Sequence, residues 1–180
     1  FLDHLFMLIF ATLAALALTK EWELGYAELI PYATPGLVAF GVFSLPAGWL
    51  ADRWSREGVM RVFFVGIGLA AISTSFVQNP IQMAIGLFII GMFAAIYHPV
   101  GLAMIARGGQ QMGRDIAFNG VWGNMGVGCA ALLTGFLIDL TRLAHRLLAT
   151  RADFTIVWAG LSRQLLGQIT LEECGDHFRE

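Results

Sequence analysis

Apolar positions along this chain come in long unbroken runs, not in stripes. Leu29 to Ala51 holds 23 residues without a formal charge, and Val62 to Ala106 holds 45 without Asp, Glu, Lys or Arg. A helix packed on a soluble core would show polar residues every few positions. A bilayer core about 30 Å thick instead needs about 20 apolar residues per crossing helix. The pattern therefore predicts several membrane crossings. Four breaks give five spans: Phe1 to Thr19, about Glu28 to Ala51, about Met60 to Val77, Ile81 to Ala106, and Ile116 to Ile138. Barrel strands would be about half as long and alternating. Helices satisfy their own backbone groups in lipid, so an all-α, polytopic transmembrane helix bundle is expected.

The polar breaks carry the orientation. The second break holds Arg53, Arg56 and Arg61, and the fourth holds Arg107 and Arg114. The first has Lys20 beside Glu21, Glu23 and Glu28, and the third (Gln78-Asn79-Pro80) is uncharged. Basic residues of short loops stay in the cytoplasm. The second and fourth loops, and the amino terminus, are thus expected on the cytoplasmic side of the cell (inner) membrane. Trp22, Tyr26, Trp49 and Trp54 fall near the predicted interfaces, as amphipathic rings do.

Composition agrees with this reading and excludes others. The chain is 57% hydrophobic and 13% charged, against roughly 25% charged in soluble domains. There is no basic patch, so no nucleic-acid partner is expected. Cys129 and Cys174 make no metal spacing, and neither a cofactor nor a metal is expected from motif spacing. The chain opens on Phe1 in apolar sequence, without a basic leader and cleavage site. It reads as a fragment beginning just inside its first helix.

The text between spans two and three is Gly48-Trp49-Leu50-Ala51-Asp52-Arg53-Trp54-Ser55-Arg56-Glu57. It resembles motif A of the major facilitator superfamily, Gly-x-Leu-Ala-Asp-Arg-x-Gly-Arg-Arg/Lys, and sits where that family carries it. Ser55 replaces the second glycine and Glu57 a basic residue. The resemblance covers residues 1 to about 140, the first five helices of a twelve-helix transporter. Ala94-Ala95-Ile96-Tyr97-His98-Pro99-Val100-Gly101 also resembles the fosmidomycin-resistance-like branch. The resemblance implies secondary active transport of a small solute by alternating access, with a carboxy-terminal half of the same transporter as partner. It implies a cytoplasmic-gate role for Gly48, Asp52, Arg53 and Arg56. A plainer role for the arginines is to set topology and meet the anionic leaflet. Many proton antiporters of the family carry an arginine four residues before a glycine in helix four. With Gly91 as that glycine the position is Leu87, so proton antiport by that route is not expected. Span five is rich in glycine (Gly120, Gly123, Gly126, Gly128, Gly135), which favours close helix packing.

Ionisable groups inside a span are costly and are functional candidates. Asp3 lies ~24 Å from the outer end of span one, and His98 ~13 Å from the inner loop, at 1.5 Å per residue. Asn124 lies at a depth similar to His98. Asp3, His4, His98 and Asn124 are therefore candidates for a substrate or proton cavity. Resemblance adds that helices one, four and five of the family line the central cavity. Asp3 suits a proton or cation carrier, and His98 a proton relay or substrate donor; the plainer alternatives are a helix cap and a packing histidine. Pro99 should kink span four beside His98. Asn119 reads as a helix-start residue, and Tyr97 and Trp122 as packing aromatics.

Residues 141 to 180 depart from the pattern. Arg142, Arg146 and Arg151 would lie outside, against the positive-inside bias. Reading the codons one base later allows Gly-Trp-Arg-Thr-Ala-Phe-Trp-Leu-Pro-Gly from Arg142, text like that of the family's sixth helix. A frameshifted tail is the expectation, and a genuine extramembrane tail the alternative. Partners expected for the whole are the lipid bilayer and a small-molecule substrate, coupled to protons. Efflux and uptake are not separable from this text. The competing reading is an integral-membrane enzyme or a non-transporting partner. For an enzyme, Asp3, His4 and His98 are the only candidate cluster.

Overall fold

The computed structural model describes residues 1–107 and 111–148, with side chains as far as 141. Among the described residues, five helices are long and apolar enough to cross a membrane: α1 (Leu2–Glu21), α2 (Tyr26–Arg53), α3 (Arg56–Thr74), α4 (Pro80–Ala106) and α5 (Met112–Leu148, of which Met112–Thr141 is the apolar part). The described residues contain no strand. The five expected spans are present, but their ends differ by up to several residues.

The ends follow capping chemistry, not charge. Ser55 is extended, and its Oγ accepts the Gly58 backbone N–H at 3.1 Å, so α3 starts at Arg56 and takes in residues 56–61. A serine in this place satisfies one of the amide groups left over at a helix start. This explains why it stands where the family motif has glycine. Asn79 does the same for α4, accepting the Gln82 N–H at 2.9 Å, with Pro80 at the first helical position. Proline is suited there because its missing N–H is not needed. At the other end α3 stops at Thr74, three residues short of the expected Val77. Helix α5 starts at Met112, a turn before the expected Ile116, and runs on through Leu148. The remainder of the segment expected to be a frameshifted tail lies outside the described residues.

Three helices are irregular, α2 through a 3₁₀ stretch at Ile30–Ala33. Helix α4 is interrupted at Ala95–Ile96, between Pro80–Ala94 and Tyr97–Ala106. A proline ring clashes with the carbonyl four residues earlier and cannot donate to it. For Pro99 that carbonyl belongs to Ala95. The predicted kink therefore falls one turn ahead of the proline that causes it. Helix α1 carries a π-helical stretch, Ala14–Leu18.

Helix α4 is the centre of the arrangement, packing on α2 and α3 and touching α1 and α5, while α1 packs along α5. The core is built from Phe6, Ile9, Phe10 and Leu13 of α1, Phe63 and Ile67 of α3, and Met83 and Ile90 of α4. Where large side chains are absent the helices approach most closely. A methyl group at Gly36 would lie 2.8 Å from the Leu87 carbonyl oxygen, and one at Gly91 would run into the Gly36 backbone. Gly123 and Gly126 face α1 in the same way, whereas Gly120 and Gly128 face open space. Small residues at such crossings let packing contacts replace the hydrophobic drive that lipid removes. The outer face of α2 is apolar and exposed, with Leu37, Val38, Val42, Leu45 and Trp49.

Candidate functional site

The first residues of α1 bring a carboxylate to the interior. Asp3 is only 3% exposed, and its Oδ2 lies 3.1 Å from Nε2 of His98 on α4. His4 Nδ1 is 3.7 Å from the same oxygen. The two imidazoles meet edge to face, with centroids 5.6 Å apart. Thus the fold joins three groups that sequence placed at compatible depths on two helices. An ionised carboxylate in the apolar part of a bilayer costs about 2.5–3.5 kcal/mol on insertion scales. A hydrogen-bonded imidazole offsets part of that cost. Asp3 Oδ1 and His4 Nδ1 are buried and have no hydrogen-bond partner among the described residues.

Rings surround His98. Phe40 of α2 packs edge-on at 5.5 Å, and Tyr97 at 6.0 Å. The Tyr97 hydroxyl donates to Oδ1 of Asn119 on α5. Asn119 is thus a connecting residue and not a helix-start residue. The sequence missed it because α5 begins a turn earlier than the charge pattern indicates, which carries Asn119 deeper. Asn124 does not join the cluster: it is exposed on α5. Its neighbour Gly123 faces His4, at 3.4 Å from an added methyl group to the ring. One residue further along a helix rotates a side chain by about 100°, at 3.6 residues per turn.

The motif between α2 and α3 forms a second constellation. Asp52 Oδ1 accepts a hydrogen bond from Nη2 of Arg56 at 2.6 Å, one helical turn apart across the junction. Asp52 is 66% exposed in side chain and Arg56 20%. Such an exposed pair contributes about 0–1 kcal/mol to stability. Its value lies in fixing the turn. Arg53 covers the Trp49 ring at 4.5 Å. Gly48 lies opposite Pro99, 3.4 Å from an added methyl group to the proline Cβ. Ala51, Asp52, Trp54, Ser55, Arg56 and Glu57 share a cavity of about 480 Å³ with Met104 and Arg107. The α2–α3 turn and the carboxy-terminal end of α4 therefore lie at one end of the bundle.

Five apolar crossings, a polar cluster within them and a charged turn at one end define a polytopic helical membrane protein. The profile of the Major Facilitator Superfamily matches residues 1–156. The chain belongs to this family. It is similar to a gallate transporter of Pseudomonas putida, with 28% identity over 126 residues, 68% of this chain and 28% of that protein. It is also similar to the 4-hydroxybenzoate transporter PcaK of Pseudomonas aeruginosa, with 24% identity over 126 residues, 69% of this chain and 28% of that one. The matched stretch is thus a little over a quarter of each relative's length. No solved structure matches the chain.

Proposed function

We propose that this chain supplies the first five helices of a secondary transporter that moves a small solute by alternating access. Its partner is the carboxy-terminal half of the same transporter, set against the exposed face of α2. The amino terminus lies in the cytoplasm and the bundle in the inner membrane. Substrate binds near the midplane between the halves and is released by rocking of one against the other. The observation that carries the reading is the buried Asp3, paired at 3.1 Å with His98 across α1 and α4. An imidazole hydrogen-bonded to a buried carboxylate inside the membrane is a group that can take up and release a proton as the cavity opens to either side. Asp3 and His98 handle the coupling proton, and Asp52, Arg53 and Arg56 hold the cytoplasmic gate.

The names of two relatives point to hydroxylated aromatic carboxylates as the first substrates to test. Phe40, Tyr97 and two imidazoles around one carboxylate support an aromatic ligand. The test is uptake of labelled 4-hydroxybenzoate and gallate by the full-length protein in proteoliposomes, with an imposed proton gradient. Asp3→Asn is expected to lower gradient-driven transport at least about tenfold, the loss of one charge-assisted contact of ~1.4 kcal/mol or more. His98→Ala is expected to flatten the pH dependence of transport, since histidine is the side chain most able to change charge near neutral pH. Undiminished transport by Asp3→Asn at equal expression overturns the role of the pair. An unchanged pH profile in His98→Ala overturns the proton role alone.

A further inference from the structure

We propose that Asp3, His4 and His98 form a binding site for a divalent transition-metal ion of the zinc class, which clamps α1 to α4. One carboxylate oxygen and two imidazole nitrogens, one from each residue, all lie within 4.8 Å of one another. Metal–nitrogen and metal–oxygen bonds of about 2.0–2.2 Å in a tetrahedron put neighbouring ligand atoms ~3.4 Å apart. The Asp3–His98 and Asp3–His4 separations, 3.1 and 3.7 Å, bracket that spacing. Small side-chain rotations suffice to close the site.

Two independent observations point to a cation. Asp3 is almost wholly buried, yet among the described residues its Oδ1 has no hydrogen-bond partner, and neither has the buried Nδ1 of His4. Each such orphan costs about 1–3 kcal/mol. The cluster carries one carboxylate and forms no ion pair with a lysine or arginine among the described residues. A dication seated between Asp3 Oδ2 and the two imidazoles would engage the orphan His4 Nδ1 and neutralise the carboxylate, and a carboxylate bound through both oxygens would engage Oδ1 as well. The donor set decides which ion: two imidazoles favour zinc, copper, nickel or cobalt over magnesium and calcium.

The surroundings suit a site that fills and empties. His98 and His4 are 40% and 36% exposed, which leaves a side open to entry and room for a fourth ligand. Phe40 and Tyr97 hold the His98 ring from its edges, and Tyr97 is held in turn by Asn119. Such outer contacts orient a ligand before the metal arrives. Because the ligands come from α1 and from α4 beside its break, an ion would hold these helices in one arrangement.

That this arrest stops transport rests on the function proposed above; the binding itself does not. The full-length protein in nanodiscs, stripped of metal, is titrated with Co²⁺ and followed by its visible ligand-field absorption. We expect one Co²⁺ per chain, displaced by Zn²⁺ and not by Mg²⁺. His98→Gln, His4→Gln and Asp3→Asn should each weaken binding by at least about tenfold, the effect that loss of a mere supporting contact already has. Circular dichroism checks that each variant is folded, and any one folded variant suffices. In a second measurement, Zn²⁺ should protect His98 from diethyl pyrocarbonate in the unmutated protein. No saturable cobalt spectrum, or equal affinity in folded variants, overturns the site. Metal binding by a protein that moves no solute would instead overturn the transport reading and leave the site standing.

Discussion

At Gly91 a hydrogen atom faces the backbone of Gly36, and this contact sets how close α2 and α4 come. A backbone carbonyl cannot swing aside as a side chain can. Gly91→Ala is therefore expected to push the helices apart and lower stability by about 1–3 kcal/mol, the usual cost of overpacking. Gly128→Ala is the counterpart: nothing lies within 4 Å of an added methyl group there. In a helix interior that change should be neutral or favourable by up to about 1 kcal/mol. Thermal unfolding of both variants in detergent checks the pair, and an equal melting temperature for both would remove the distinction. The same crossing explains Leu87, the position where resemblance to proton antiporters would put an arginine. Leu87 is 5% exposed and its backbone meets Gly36, so a guanidinium would have little space. Asp3 and His98 were legible as residues because ionisable groups stand out in apolar runs. Their pairing was not, since no spacing relates positions on two different helices. Phe40 was illegible as a site neighbour for the same reason, and Asn119 because α5 begins a turn before the charge pattern indicates.

Among the elements, α4 shows how a local rule becomes a site. Pro99 removes one backbone donor, the helix breaks at Ala95–Ile96, and His98 projects from the first turn beyond the break. Gly48 of the α2 motif packs on the same proline, which ties the charged turn to the cluster through one helix face. Pro99→Ala is expected to restore a hydrogen bond to the Ala95 carbonyl and to stiffen α4. A gain of about 0.5–1.5 kcal/mol in stability should accompany it, with slower transport because the helix loses its hinge. Both are measured on the full-length protein, by thermal unfolding and by uptake. A variant that is neither more stable nor slower would show that the break does not depend on the proline. The helices themselves were legible from their apolar runs. Their ends were not, because charge marks where lipid stops while capping marks where a helix stops. Ser55 and Asn79 are the residues that make the difference. The π-helical stretch of α1 has no signal in Ala14-Ala15-Leu16-Ala17-Leu18, which holds neither glycine nor proline.

For the molecule as a whole, the open question is which way the bundle sits in the membrane. Arg53, Arg56 and Arg107 gather at one end, where the α2–α3 turn shares a cavity with the end of α4. The α1–α2 junction, at the opposite ends of these helices, has Lys20 and Glu21 in the last turn of α1, Glu23 in the link and Glu28 in the first turn of α2. Each basic residue near an anionic inner leaflet contributes about 1 kcal/mol, and the bias acts through short loops such as these. The arginine end is therefore expected in the cytoplasm. Single cysteines placed in a background without Cys129 and Cys174 test this on intact cells with a membrane-impermeant maleimide. Glu23→Cys and Gln78→Cys lie on exposed positions between helices, and both should react from outside. Glu57→Cys and Arg107→Cys are exposed at the arginine end, and should react only after permeabilisation. The reverse labelling pattern would invert the bundle. It would also detach the Asp52–Arg56 turn from any cytoplasmic gate, because the same residues would then face the periplasm.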